Sequence, residues 1–290
     1  MCDEQTHEDT KAHLREHGLS RRRFGVASSA AALGLMLPPL ARALAVTEQE
    51  VEIETPAGQA DAYFVHPSDG AHAAVIVWPD IVGIRPAFRA MGKRLAESGY
   101  AVLVVNPYYR TARGMVVPAG ATFRDPGIWE LLKPHARSLS PDTCVTDGKA
   151  FVSWLDQQPQ VDRQRPVGTM GYCMTGSYVM RLAAAIPDRI GAGASFHGGG
   201  LATDAEDSPH LLAPQMKASF LIAIAENDDA KRPDEKVWLR KAFDAAEVTA
   251  EIEVYPAQHG WCPPDSAVHD AEQADRAWGR LLALFERELA

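Results

Sequence analysis

Residues 167–181 read VGTMGYCMTGSYVMR, and their order decides the fold. A β-rich run from Pro166 to Met170 meets Gly171, Tyr172 and Cys173, and a helical pattern opens at once from Met174 through Gly176. Strand, sharp turn and helix in that order push the apical side chain out over the C-terminal edge of a sheet. The backbone N–H groups that follow point into the same space. The apical residue is Cys173, which makes it a candidate nucleophile.

Working outward from this turn, buried strands and helices alternate. Ala73 to Trp78 is a continuous apolar run, as expected of a strand covered on both faces. It runs into Pro79-Asp80-Ile81-Val82-Gly83, a helical pattern from Pro86 to Ser98 closed by Gly99, and a second apolar strand from Ala101 to Val105. Upstream, Val51 to Thr55 and Ala60 to His66 alternate with the β period around Pro56-Ala57-Gly58-Gln59, an antiparallel hairpin at the N-terminal edge. From Asn106 to Asp142 periodicity dissolves into Pro, Gly, Arg and isolated aromatics, which predicts a functional loop or lid over 106–142. Thr143 to Gln158 is helical, and the helix after the cysteine runs to about Ala185. Ile190 to Phe196 is a strand followed by His197, and Ser219 to Ala225 is a strand ending in the loop Glu226-Asn227-Asp228-Asp229. Asp234 to Ala246 is helical, Ala250 to Tyr255 is β with His259 beyond it, and Val268 to Glu288 is a final amphipathic helix. The expected fold is α/β: a mainly parallel sheet with helices on both faces. Ligands in such sheets bind beyond the carboxyl ends of the strands. Asp80, Arg110, Cys173, His197, Asp228 and His259 all follow strands and are expected to converge there.

The first 45 of the 290 residues differ in character. A polar stretch ends in Ser20-Arg21-Arg22-Arg23-Phe24, an Ala/Leu/Gly-rich run follows to Leu37, and Ala43-Leu44-Ala45 has the small-x-small pattern of a processing site. These are the parts of a twin-arginine export signal at 1–45, preceding a single domain at 46–290 and implying the export machinery as a partner and a periplasmic or secreted destination. The formal net charge is −9; the leader holds 6 of 29 Lys/Arg and 5 of 38 Asp/Glu, so the remainder carries −10. An acidic surface without basic runs argues against nucleic acid and anionic membrane as partners. After loss of Cys2 with the leader, Cys144, Cys173 and Cys262 remain. No CxxC or His/Cys ligand spacing occurs, so no zinc site is expected. A Cys144–Cys262 bridge stays open at this level.

A thiol attacks as thiolate, so Cys173 needs a helix N-terminus and a basic partner. Cys173, Asp228 and His259 stand in the order nucleophile, acid, histidine of the α/β-hydrolases. The acid would hold the imidazole in its useful tautomer. Asp228 competes for that role with Asp229 and Glu226. The oxyanion donors would be the N–H groups of Met174 and Ile81. Trp78, Trp129, Phe196 and Trp261 are candidates for an apolar pocket wall, and His197 for the pocket lining or a structural hydrogen bond.

Gly171-Tyr172-Cys173, Asp80-Ile81-x-Gly83, Asn106-Pro107-Tyr108-Tyr109-Arg110, Asn227-Asp228 and His259 in AQHGW together resemble the dienelactone hydrolase (carboxymethylenebutenolidase) family, over about Val51 to the C-terminus. The resemblance implies an α/β-hydrolase fold, a Cys173, Asp228, His259 triad, no cofactor, and hydrolysis of a lactone or small carboxylic ester. It also implies that Asp80, where the family usually has glutamate, bonds the resting thiol, and that Arg110 binds a substrate carboxylate. Two positions depart from the pattern: Thr175 stands where the turn usually has glycine, and Pro263 where a second substrate-binding arginine is expected, with Arg85, Arg113 or Arg124 as substitutes. These departures motivate an alternative, a non-catalytic ligand-binding protein on a degenerate hydrolase scaffold.

Overall fold

The structure is a computed structural model and describes residues 4–16, 43–118, 121 and 125–290. The arginine motif and the apolar run of the leader lie outside the described residues. Eight strands form one sheet in the order β1-β2-β4-β3-β5-β6-β7-β8. They are β1 (Val46–Thr55), β2 (Gly58–Pro67), β3 (Ala74–Trp78), β4 (Ala101–Val105), β5 (Val167–Tyr172), β6 (Ile190–Phe196), β7 (Ser219–Ala225) and β8 (Ala250–Tyr255). β1 pairs antiparallel with β2, and β2 antiparallel with β4; every other pairing is parallel.

The helices are α1 (Glu4–Glu16), α2 (Pro86–Glu97), α3 (Ile128–Arg137), α4 (Pro141–Leu155), α5 (Gly176–Ala185), α6 (Glu226–Lys231), α7 (Asp234–Ala245) and α8 (Ala271–Glu288). Strand alternation divides the core in two. Ile76, Trp78, Leu103 and Val105 pack with Phe151, Val179, Leu182 and Phe243 on the α4, α5 and α7 side. Val75, Val77, Val102 and Val104 pack with Phe88, Leu95, Leu281 and Phe285 on the α2 and α8 side. The apolar runs of β3 and β4 are therefore two-faced strands, which is why no polar residue interrupts them. Burial of Phe88, Met91 and Leu95 holds α2 against the sheet, each side chain contributing roughly 2 kcal/mol as an upper figure.

Several expectations need correction. The hairpin is longer than the alternating segments suggested, its register running from Val46↔Pro67 to Thr55↔Gly58. The span read as a structureless lid contains α3, which buries Ile128 and Leu132. Pro134 inside it and Gly127 before it hid the pattern. Glu226 to Asp229 is not a loop but the first turn of α6. Within the span read as a leader, α1 reaches the domain through an ion pair between Asp9 and Lys231 of α6. No helix among the described residues is long and apolar enough to cross a membrane.

Candidate active site

Cys173 sits where β5 ends, in a 3₁₀ turn, Cys173–Thr175, that leads into α5. Its φ is +57°, a left-handed conformation that disfavours a side-chain-bearing residue. Such a residue costs on the order of 1–3 kcal/mol and persists only where its surroundings over-determine it. Here they do. A Cβ added at Gly171 would lie 2.3 Å from the Thr175 carbonyl oxygen, and one at Gly176 2.4 Å from Ser195 Oγ and 2.6 Å from Gly198 Cα. Two glycines thus let the turn close against itself and against β6. Thr175 fills the position where the usual pattern has glycine, and it is fully buried. Its hydroxyl accepts from the Tyr172 N–H at 3.0 Å and directs its proton at the carbonyls of Trp78 and Pro79, at 2.9 and 3.0 Å. The departure from glycine is a brace between the turn and the end of β3. Cys173 is engaged in a disulfide, whereas Cys144 and Cys262 are free and buried. Burial raises the pKa of both of those thiols well above the ordinary value, so they are inert apolar residues, and they are not bridged to each other.

The histidine and the acid meet. His259 Nδ1 lies 2.6 Å from Asp228 Oδ2, and the His259 backbone N–H donates to Asn227 Oδ1 at 2.8 Å. The Asn227-Asp228 pair therefore holds both the backbone and the ring of His259. A carboxylate against Nδ1 places the proton there and leaves Nε2 as the basic nitrogen. Asp229 points elsewhere, pairing with Lys236 at 2.5 and 2.6 Å. Asp228 is the acid on the imidazole.

Asp80 is held by neighbours of its own. Its carboxylate receives Arg85 Nη1 at 2.7 Å and Nη2 at 3.0 Å, and the Val82 N–H at 2.9 Å. The same guanidinium donates to Asp265 through Nε at 2.6 Å and Nη2 at 3.0 Å. Burial would lower the Arg85 pKa, but Asp265 and Asp80 outweigh it and raise it. Arg85 consequently ties the loop of Ile81 to the loop that follows His259. Tyr108 adds a second tie, its hydroxyl donating to the Ile81 carbonyl at 2.8 Å. Ile81 and Met174, the two expected oxyanion donors, belong to one small apolar cluster with Val116, Val117, Ile128 and Leu132. The segment read as a lid supplies that apolar cover.

The remaining expected binding residues are placed differently. Arg110 forms a two-pronged pair with Asp147 of α4, at 2.6 and 2.7 Å. Its pKa is raised, first by that hydrogen bonding. Tyr109 donates to the same carboxylate at 2.7 Å. Arg110 is thus already holding a carboxylate, and it is the protein's own. Of the possible substitutes, Arg85 is the tie just described, Arg113 pairs with exposed Glu52, and Arg124 lies outside the described residues. Trp78 is interior, donating to Thr169 Oγ1 at 3.1 Å between Phe151 and Tyr178. Trp261 is fully buried and stacks on Tyr255. Neither forms an accessible wall. His197 is fully buried, with φ +41° and its ring edge-on to His259 and to Trp261 at 5.0 and 5.1 Å. Neither ring nitrogen has a hydrogen-bond partner among the described residues, so the expected structural hydrogen bond of the ring is absent there. Burial, then repulsion from His259, pushes its pKa well below the ordinary value, so the ring is neutral. Among the described residues no group of three or more His, Cys, Asp or Glu could hold a metal ion. Sequence reasoning missed Asp147 and Asp265, which no motif marks, and the bracing role of Thr175.

Comparison with known proteins gives a consistent result. The family model described as "Dienelactone hydrolase family" matches residues 60–289. A carboxymethylenebutenolidase of Rhodococcus opacus is 25% identical over 238 residues, covering 78% of this chain and 86% of the relative. A solved structure from Klebsiella pneumoniae, provisionally named a dienelactone hydrolase, is 26% identical with a TM-score of 0.72, covering 84% of this chain and 99% of the other. A dienelactone hydrolase of Anabaena variabilis shares the fold at a TM-score of 0.60 and 16% identity, covering 84% and 99%.

Proposed function

Given that the chain belongs to the dienelactone hydrolase family, we propose that it hydrolyses a lactone or small carboxylic ester through Cys173, His259 and Asp228. The observation that carries this reading is the 2.6 Å contact of His259 Nδ1 with Asp228, on a sheet edge where Cys173 is forced into a positive-φ turn at the start of a helix. The reacting form is the reduced thiol, because a disulfide sulfur has no proton to give and no thiolate to attack with. In that form Nε2 of His259 takes the thiol proton, and the sulfur bonds to the carbonyl carbon. The oxygen gains charge facing the N–H groups of Met174 and Ile81. Collapse breaks the bond to the leaving alkoxide, which receives the proton from His259. Water, activated by the same nitrogen, then releases the acid and restores the thiol. Asp228 orients the ring and stabilises its cation throughout.

Export follows from the same sequence: Arg21-Arg22-Arg23, the apolar run and Ala43-Leu44-Ala45 support a twin-arginine leader removed near Val46, and a periplasmic or secreted product.

The decisive experiment is hydrolysis of aryl esters and lactones by reduced protein and by Cys173→Ala. Activity is expected to vanish in the variant with an unchanged circular dichroism spectrum. Retained hydrolysis by Cys173→Ala removes the nucleophile assignment.

A further inference from the structure

Resting on the hydrolytic reading above, the geometry points to a narrower substrate class. We propose that the site takes an uncharged ester or lactone with an apolar acyl portion and disfavours substrates carrying a free carboxylate, with Asp147 setting this preference by occupying Arg110.

Three observations lead there. First, among the described residues, Arg110, Arg85 and Lys236 are each engaged by carboxylates of the protein. Arg110 is held in two-pronged fashion by Asp147, whose side chain is 3% exposed. Arg85 is shared between Asp80 and Asp265, and Lys236 is bound by Asp229. A two-pronged guanidinium–carboxylate pair is the geometry a substrate carboxylate would itself need, so an incoming anion must displace a buried competitor. Second, the balance of charge is negative. In these pairs five carboxylates, Asp80, Asp147, Asp228, Asp229 and Asp265, stand against three cations, Arg85, Arg110 and Lys236. An anion entering that region meets repulsion that water only partly screens. Third, the cover over Ile81 and Met174 is apolar, built from Val116, Val117, Ile128 and Leu132. A hydrocarbon acyl chain gains by burial there, while a carboxylate would be desolvated without a partner.

The test compares kcat/KM for 4-nitrophenyl butanoate and 4-nitrophenyl hemisuccinate, acyl groups of equal carbon count that differ by a terminal carboxylate. Each value is normalised to the ester's rate with hydroxide. The reduced wild-type protein is expected to favour the butanoate by about tenfold or more at low ionic strength, a ratio that narrows as salt is added. Asp147→Asn keeps the shape but releases Arg110, and is expected to narrow the ratio several-fold by raising the hemisuccinate rate. A wild-type preference for the hemisuccinate that is lost in Arg110→Met overturns the proposal, because Arg110 would then be a substrate anchor. An unchanged ratio in folded Asp147→Asn overturns the role given to Asp147. Should Asp147→Asn fail to fold, the wild-type ratio and its salt dependence decide the substrate class alone. Hydrolysis of neither ester overturns the hydrolytic reading itself and this inference with it, and so is distinct from hydrolysis with the wrong charge preference.

Discussion

Replacing Arg85 by methionine keeps most of the side-chain length and removes the charge that joins two loops. The carboxylates of Asp80 and Asp265 would then face each other's neighbourhood without their shared cation. Removing one partner of a buried ion pair costs about 3–5 kcal/mol, because the other partner stays desolvated. The Asp80 side chain is 12% exposed and that of Asp265 26%. Water can therefore reach Asp265, and Asp80 keeps its bond from the Val82 N–H, which places the expected loss near 3 kcal/mol at the low end of that range. For a domain of this size each kcal/mol lowers the melting temperature by about 2–4 °C, so thermal unfolding should show a drop of roughly 6–12 °C. Catalysis should suffer separately. The Ile81 N–H and His259 lie on the two loops that Arg85 joins, and displacement on the order of 1 Å at a reacting centre costs up to about a hundredfold in rate. The measurement is kcat and melting temperature of Arg85→Met alongside Arg85→Lys. The lysine retains the charge but cannot present two forked contacts, and should recover part of the stability and less of the rate. A melting temperature within about 2 °C of wild type, with unchanged kcat, would refute the claim that Arg85 fixes these loops.

Two further outcomes can be measured in the same way. Gly176→Ala puts a methyl group 2.4 Å from Ser195 Oγ and 2.6 Å from Gly198 Cα; because one contact is backbone, it should destabilise by about 1–3 kcal/mol in chemical denaturation, whereas a near-neutral change would mean the turn has room to spare. His197, neutral because buried, has a folded pKa below its unfolded one. Its contribution is therefore present above the unfolded pKa of about 6.5 and lost as pH falls toward the folded value. Wild-type unfolding free energy should fall more steeply from pH 7 to pH 5 than that of His197→Phe, and parallel curves would contradict the assignment.

How much of this could be read in advance depends on how far apart the partners lie in the chain. β3 and β4 were legible because each is an apolar run bounded by turn residues, as burial on both faces demands, and β5 because a sharp turn and a helix follow it at once. The Asn227-Asp228 pair and His259 were legible because strand ends deliver side chains to one edge, and the structure adds that Asp229 pairs with Lys236 instead. The short helix α6 escaped because a run of acidic residues after a strand reads as a turn, while its acids favour a helix N-terminus. α3 escaped because Pro134 interrupts it. The fates of Asp80 and Arg110 were not legible at all: their partners, Arg85 with Asp265 and Asp147, are set by packing between distant segments, and nothing in the local pattern of α4 marks Asp147 as buried. Charge type identified which residues could bind an anion. Tertiary pairing decided that they bind the protein's own.

The position of His259 between β8 and α8 has a consequence for the timing of synthesis. Cys173 leaves the ribosome on the fifth strand, whereas the imidazole and the helix that covers the other face of the sheet come from the last part of the chain. Until those residues have emerged and docked on β7, the Asp228–His259 contact is not assembled. On the proposed reading, a nascent or truncated chain would carry an idle cysteine, and competence to react would be conferred in one late step, when the sheet is closed at its β8 edge.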